Sequence, residues 1–289
     1  MPDVWGLILY RRTKKAVVIM LLQITLTPAE GKRLIAKGVA RMDAVQKALK
    51  DGLVIVAQGT TNAYVAEELL RQLGIEHDVD KRRFAAGVIT DRPCVVPKAE
   101  RQAEVIIKKG SLYDGSLEDA LEELSRDDVF IKGANAIDPD GVAGILLAHP
   151  KGGTIGSALG TVAARGAHFI IPVNLAKSIR FSIVEAARRI RGFQGVYKAV
   201  GMPVGLLPVH GTVVTEIEAL KLLGAEDAFQ IGAGGEGAVV ICVEGEREKL
   251  DEILEVVTQI KGEPPVKTLT EDCSRCKRAA CIYSSSESP

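Results

Sequence analysis

The sequence predicts an α/β fold, a three-layer Rossmann-like arrangement on a mostly parallel sheet, with a small α+β (ferredoxin-like) unit and a Cys-rich C-terminal tail. Three observations predict it. Short apolar runs such as "LVIVA" (53–57) and "HFIIPV" (168–173) suit strands buried on both faces, as in a parallel sheet covered by helices. Capped amphipathic segments alternate with these runs. After about residue 200 the order becomes β-α-β-β-α, that of a small α+β sandwich.

Each element has a local reason. "LTPAEGKRLIAKGVARMDAVQKALKDG" opens with Thr27 as N-cap, Pro28 at the first helical position and Glu30 three residues after the cap. Leu34, Val39, Met42, Val45 and Leu49 continue at helical spacing, which predicts one helix ending at Gly52. After "LVIVA" a second helix covers 62–74, with Gly74 as its stop. "RFAAGVIT" and "EVIIKKG" read as strands around a proline-containing loop with Cys94, and Ser116 caps a helix over 116–128. "VFIKGANAIDPDG" is strand then turn, with Asp138 and Asp140 as turn formers. Helices follow at 153–166 and 182–192. The chain thus divides into an N-terminal extension (1–26), a main α/β domain (27–200), a small α+β unit (201–262) and the tail (263–289).

Composition narrows the function classes. The 289 residues are 47% hydrophobic, enough for a globular core. The 37 basic and 37 acidic residues cancel, so no global field recruits nucleic acid or an anionic membrane. Aromatic residues at 4% argue against a base-stacking binder. The apolar runs of the N-terminus are broken by Arg11, Arg12, Lys14 and Lys15, and neither reaches the roughly 18 residues of a membrane helix. Two readings of this start remain open, a genuine first strand or translation beginning at Met20. The odd count of five cysteines, three of them crowded at the tail, predicts a cytoplasmic protein rather than a disulfide framework.

Three stretches carry the features of an anion site. Gly59-Thr60-Thr61-Asn62 joins a strand to a helix, combining a tight turn, two hydroxyls and the free N–H groups of a helix start. "HPKGGTIGSALG" adds Lys151, Gly152, Gly153 and Thr154 before a second helix. "FIKGANAIDPDG" places Lys132 and Asn135 at the carboxyl end of a strand, where open α/β sheets bind ligands. An ordinary capped turn would explain each stretch singly; three in one chain favour a phosphate or other small anion.

The order of these stretches resembles the superfamily of ribose-5-phosphate isomerase A, glucosamine-6-phosphate deaminase and the CoA transferases. The family's Gly-Thr-Gly-Ser-Thr loop, Asp-Gly-Ala-Asp turn and Lys-Gly-Gly-Gly-Gly-Ala-Leu run are matched by Gly59–Asn62, by Lys132-Gly133-Ala134-Asn135, and by Lys151-Gly152-Gly153 running into Ala158-Leu159. "FIIPVNLAKSI" looks like the family's following strand and lysine. The resemblance spans roughly 27–180 and implies a phosphorylated small-molecule ligand, a sugar phosphate or a CoA- or nucleotide-like compound. Sugar-sensing domains of some transcription repressors show a similar Gly-Thr-Thr loop. The chain departs from the isomerase at its chemistry. Lys132 and Asn135 stand where the family has aspartates, and "TIGSALGTVAARG" lacks the family's glutamate base. Proton abstraction beside a carbonyl needs such a base. Glu236 in "GAGGEGA" reads as a surface turn.

The tail "EDCSRCKRAACIY" sets Cys273, Cys276 and Cys281 in C-x2-C-x4-C spacing. A C-x2-C pair chelates one ion through both thiolates and a third thiolate strengthens the site. Zinc, with a fourth ligand from His149, His210 or another subunit, and an iron–sulfur cluster are the candidate cofactors. Lys277 and Arg278 would lower the thiol pKa values. Cys94, His77 and His168 are set aside. Three function classes stay open: an isomerase- or transferase-like enzyme with Lys132 and Asn135 at the reacting carbon, a non-catalytic sensor or partner-binding subunit, and a redox protein centred on the tail. A homo-oligomer is compatible with all three.

Overall fold

The computed structural model describes residues 19–276, 278 and 280–284. Residues 1–18, Lys277, Ala279 and the "SSESP" end lie outside them, and with them the choice between the two N-terminal starts. The chain begins with β1 (Met20–Leu26), α1 (Pro28–Val39), α2 (Asp43–Asp51), β2 (Leu53–Val56) and α3 (Thr60–Gln72). Next come β3 (Gly87–Ile89), β4 (Pro93–Val95), β5 (Val105–Lys108), β6 (Ser111–Leu112), α4 (Leu117–Glu123), β7 (Val129–Ile131), β8 (Ala136–Ile137) and β9 (Ala143–Leu147). Then follow α5 (Gly153–Arg165), β10 (His168–Pro172), α6 (Ile183–Ile190), β11 (Gly205–Val209) and β12 (Thr212–Val214). The last elements are α7 (Glu216–Leu222), β13 (Asp227–Ala233), β14 (Val239–Gly245) and α8 (Arg247–Ile260).

The fold is mixed α/β. Its central sheet has six strands in the order β12-β10-β7-β2-β5-β6. β12, β10, β7 and β2 run parallel, while β5 and β6 are antiparallel additions at one edge. The sheet is therefore mixed, four parallel strands extended by an antiparallel pair. "EVIIKKG" is as apolar as its parallel neighbours, so composition carries no sign of its direction.

Alternation along β2 builds a core on each face. Val54 and Val56 enter the cluster that holds α1, α3 and α8, whereas Leu53, Ile55 and Ala57 enter the one that holds α4 and α5. In the second cluster Phe130 and Phe169 pack with ring centroids 5.6 Å apart.

A smaller antiparallel sheet has the order β1-β14-β13. β1 pairs with β14 along its whole length, Met20 opposite Gly245 and Leu26 opposite Val239. Residues 20–26 thus belong to the sheet of the C-terminal unit rather than to a separate extension. Conversely, β11 pairs with β9 and β12 with β10, so residues 205–214 leave that unit. Ile24, Leu26, Ile241 and Ile253 share one core with Val54 and Tyr64, which removes any sharp boundary at residue 201.

The Thr27–Glu30 capping box forms as its spacing predicts, and so does a cap at Ser116. The single helix expected over 27–52 is instead two. Gly38 lies so close to α7 that a Cβ there would fall 2.7 Å from the Ala219 Cα, which pins α1. The backbone then turns through Arg41 and Met42, and α2 leaves in a new direction to cover β2 and β5. Tertiary packing overrides the helical periodicity here. No helix among the described residues is long and apolar enough to cross a membrane.

Candidate functional site: a cationic cavity at the strand ends

The carboxyl ends of β2, β7 and β10 open into one cavity of about 260 Å³. Of the ten residues singled out for ligand binding or chemistry, nine line it: Gly59, Thr60, Thr61, Asn62, Lys132, Asn135, Gly152, Gly153 and Thr154. Lys151 is the exception. It is exposed outside the lining, and its backbone N–H donates to His149 Nδ1 at 3.1 Å.

The first wall is the turn from β2 into α3. Ala57 N–H donates to the Ile131 carbonyl and Gly59 N–H to that of Phe84, both at 2.9 Å, which fixes the strand end. Gly59 is the N-cap of α3 with no side-chain cap, and no acidic residue occupies the first turn. Asn62 is fully buried beneath the turn, where Nδ2 donates to the Ala57 carbonyl at 2.6 Å and clamps the loop. Gly133 on the facing loop leaves room for it, since a Cβ there would come 3.1 Å from both Asn62 Oδ1 and the Pro172 carbonyl. The Thr61 hydroxyl and Asn62 Oδ1 are buried without a hydrogen-bond partner. Such orphaned polar atoms carry a desolvation penalty and call for an explanation.

The second helix start mirrors the first. Gly152 caps α5 with φ +76°, a left-handed conformation that suits glycine, and again neither a side-chain cap nor an acid is present. Two positive helix ends therefore face one cavity.

The third wall supplies amines. Lys132 follows β7 directly, and its backbone N–H donates to the Ile170 carbonyl at 3.1 Å. Its side chain reaches the cavity while the amine sits deep among protein atoms; burial lowers its pKa to about 8, against a smaller opposing pull from Glu104. Lys177, in the turn after β10, donates to the Ala134 carbonyl at 2.7 Å. Burial, with repulsion from Lys32 and Lys132, lowers its pKa to about 7. Asn135 is partly committed to structure, because Oδ1 accepts the Leu146 N–H at 3.0 Å.

Arg101, Arg278 and His149 also line the cavity, and no Asp or Glu appears in the lining among the described residues. Burial and the nearby Arg278 both push the Arg101 pKa down. No protein-family model matches the chain, and no curated protein matches it in sequence. The cavity has to be read from its own chemistry.

Behind the amines lies Glu216, the first residue of α7. It accepts from Asn174 Nδ2 at 2.5 Å and from the Leu175 N–H at 2.9 Å, and burial raises its pKa to about 7. Lys32 is nearby, its own pKa lowered by burial and pulled up by Glu216.

Asp138 does what its turn sequence predicts, Oδ1 accepting from the N–H groups of Asp140 and Val142. Glu236 sits in an exposed turn and His210 is exposed outside the cavity. Lys177, Arg101, Arg278 and Glu216 were missed as site residues. Only Lys177 had a signal, in the "FIIPVNLAKSI" likeness.

The tail is docked rather than loose. Glu271 N–H donates to the Val95 carbonyl at 2.9 Å, Ala199 N–H to the Ala280 carbonyl at 2.7 Å, and Ile282 N–H to the Ala199 carbonyl at 3.0 Å. Cys273, Cys276 and Cys281 line a small second cavity of about 20 Å³ against β4. No set of three or more His, Cys, Asp or Glu among the described residues is arranged to hold a metal ion.

Proposed function

We propose that the chain binds a phosphorylated small molecule in the cavity at the ends of β2, β7 and β10. One observation carries this reading: four cationic side chains, Lys132, Lys177, Arg101 and Arg278, line the cavity and no carboxylate among the described residues does. Buried like charges repel in a low dielectric, and a dianion in their midst relieves that repulsion. The two uncapped helix starts at Gly59 and Gly152 and the orphaned Thr61 hydroxyl add donors of the same polarity. A volume of about 260 Å³ favours a compact sugar phosphate over an enclosed CoA. Lys177, Arg101 and Arg278 take the role first given to Lys151.

The family resemblance belongs to this proposal, as do a Rossmann-like reading of the large sheet and a ferredoxin-like reading of the small one. Four parallel strands with helices over both faces support the first. Carboxylate-driven isomerisation is left out, because the lining holds no Asp or Glu to take the proton. That same feature favours a second reading, a metabolite sensor that binds without turnover.

The test is a thermal-shift screen against phosphorylated metabolites, repeated with Lys132→Met. A ligand at 100 times its Kd adds about 2.7 kcal/mol and visibly raises the midpoint. The expected result is a shift with sugar phosphates that the variant loses. A folded wild type that no phosphorylated compound shifts overturns the reading.

A further inference from the structure

The turn after β10 positions one amine more tightly than holding a charge requires. It runs Asn174-Leu175-Ala176-Lys177 and is pinned on several sides. Asn174 Oδ1 accepts the Ala176 N–H, and the Asn174 carbonyl accepts the Lys177 N–H, both at 2.9 Å. Glu216 accepts the Leu175 N–H from behind, and Ile179 N–H donates to the Ile137 carbonyl at 2.8 Å just beyond the turn. The Lys177 side chain then lines the large cavity, with Nζ anchored on the Ala134 carbonyl at 2.7 Å.

Holding an anion calls for a permanent cation, and Arg101 and Arg278 supply two. Lys177 is set differently. It makes no ion pair among the described residues, and the amines of Lys32 and Lys132 press on it. β7 and β10 pair in parallel, with Ile131 opposite Ile170, so Lys132 and the Lys177 turn leave the same end of adjacent strands. Burial and these two like charges lower the Lys177 pKa to about 7, against a weaker pull from Glu216. A desolvated amine beside another cation is how a lysine is kept nucleophilic near neutral pH. In the neutral amine one N–H stays on Ala134 and the lone pair is left for an incoming carbon.

We propose that Lys177 is the nucleophile of an imine-forming site that takes the open-chain carbonyl of a phosphorylated aldose or ketose. The inference rests on the anion reading for the phosphate and adds a covalent step at the carbonyl. The Nζ lone pair forms the C–N bond while the carbonyl π pair moves to oxygen. The Lys132 ammonium protonates that oxygen, takes a proton back from the new C–N nitrogen, and returns it as the hydroxyl leaves as water. The products are an iminium on Lys177, one water and a neutral Lys132. An iminium draws electrons from the carbon beside it, which lessens the demand for the carboxylate base that the lining lacks among the described residues.

The experiment incubates the full-length protein with glyceraldehyde phosphate, dihydroxyacetone phosphate or ribose phosphate and sodium cyanoborohydride, which reduces an iminium to a stable secondary amine. Mass spectrometry reads the adduct and its position. Thermal shift reads binding of the same compounds and of carbonyl-free glycerol phosphate. We expect one adduct per chain, on Lys177, of the compound's mass less one oxygen atom. It should form at least about 100-fold faster than on the exposed Lys151, because the bound carbonyl stands beside the amine. It should also form at least about tenfold faster than with unphosphorylated glyceraldehyde, the contribution of one charge-assisted hydrogen bond to the phosphate. Excess glycerol phosphate should suppress it. Raised midpoints without an adduct, or an adduct on Lys132 or spread over exposed lysines, overturn the imine and leave the anion reading standing. An adduct on Lys177 that the phosphate does not speed and glycerol phosphate does not suppress upholds the nucleophile and overturns the anion reading. No midpoint shift and no adduct overturns both. Lys177→Met should lose the adduct; because the wild type is mapped directly, the test stands even where that variant fails to fold.

Discussion

Lys177 donates from Nζ to the Ala134 carbonyl oxygen at 2.7 Å and so ties the turn after β10 to the loop after β7. That bond holds a buried amine beside the Lys132 amine, with Glu216 and Lys32 behind. Three lysines and one carboxylate share the interior next to the cavity. Such an arrangement is a poor way to stabilise a fold and a direct way to present charge to a ligand.

Stability against pH should reveal this cluster. The Lys177 pKa, about 7 in the fold, is 10.5 in an unperturbed lysine, so between these values the unfolded chain binds a proton that the folded one does not. Stability then rises with pH across that window, by at most about 1.4 kcal/mol per unit. Glu216 has the opposite sign. Its pKa is raised from 4.5 to about 7, so the folded chain holds the extra proton and stability falls as pH rises through that window. Urea titrations should show a dip near neutral pH. Lys177→Met should weaken the rising limb, to which the depressed Lys132 also contributes, and Glu216→Gln should remove the falling one. A flat profile in the wild type would count against the buried charges.

Much of this was legible in the sequence, for local reasons. The Thr27 and Ser116 caps, the strand at 53–56 and the turn role of Asp138 depend on neighbours within a few residues. The Gly-Thr-Thr-Asn and Gly-Gly turns were legible too, because a helix start carries its donors wherever the helix goes. Arg101 and Arg278 were not. Each is a common residue in a loop, and its place follows from β5 reversing beside β2 and from the tail returning to β4. The split between α1 and α2 was hidden for the same reason, since its cause is the contact of Gly38 with Ala219.

Thr61 offers a test that separates structure from function. Its side chain is 2% exposed and its hydroxyl has no partner. Valine keeps the shape and removes the unsatisfied group, which costs about 1–3 kcal/mol when buried. Thr61→Val should therefore be about as stable as the wild type or more so in urea, while binding a sugar phosphate at least about tenfold more weakly by calorimetry. A hydroxyl that served only the fold would give a less stable variant with unchanged affinity.

Arg278 joins the two cavities. It lines the large one and the cysteine-lined one, and it lies between Cys276 and Cys281 in sequence. Its ion pair with Glu271 is long at 3.4 Å, and its charge presses on Arg101. An anion between the two arginines would gain charge-assisted hydrogen bonds worth about 1.5–3 kcal/mol. Arg278→Ala should weaken phosphate-ester binding by about 10- to 100-fold in calorimetry. If Arg278→Ala binds as tightly as the wild type, the guanidinium borders the cavity without meeting the ligand.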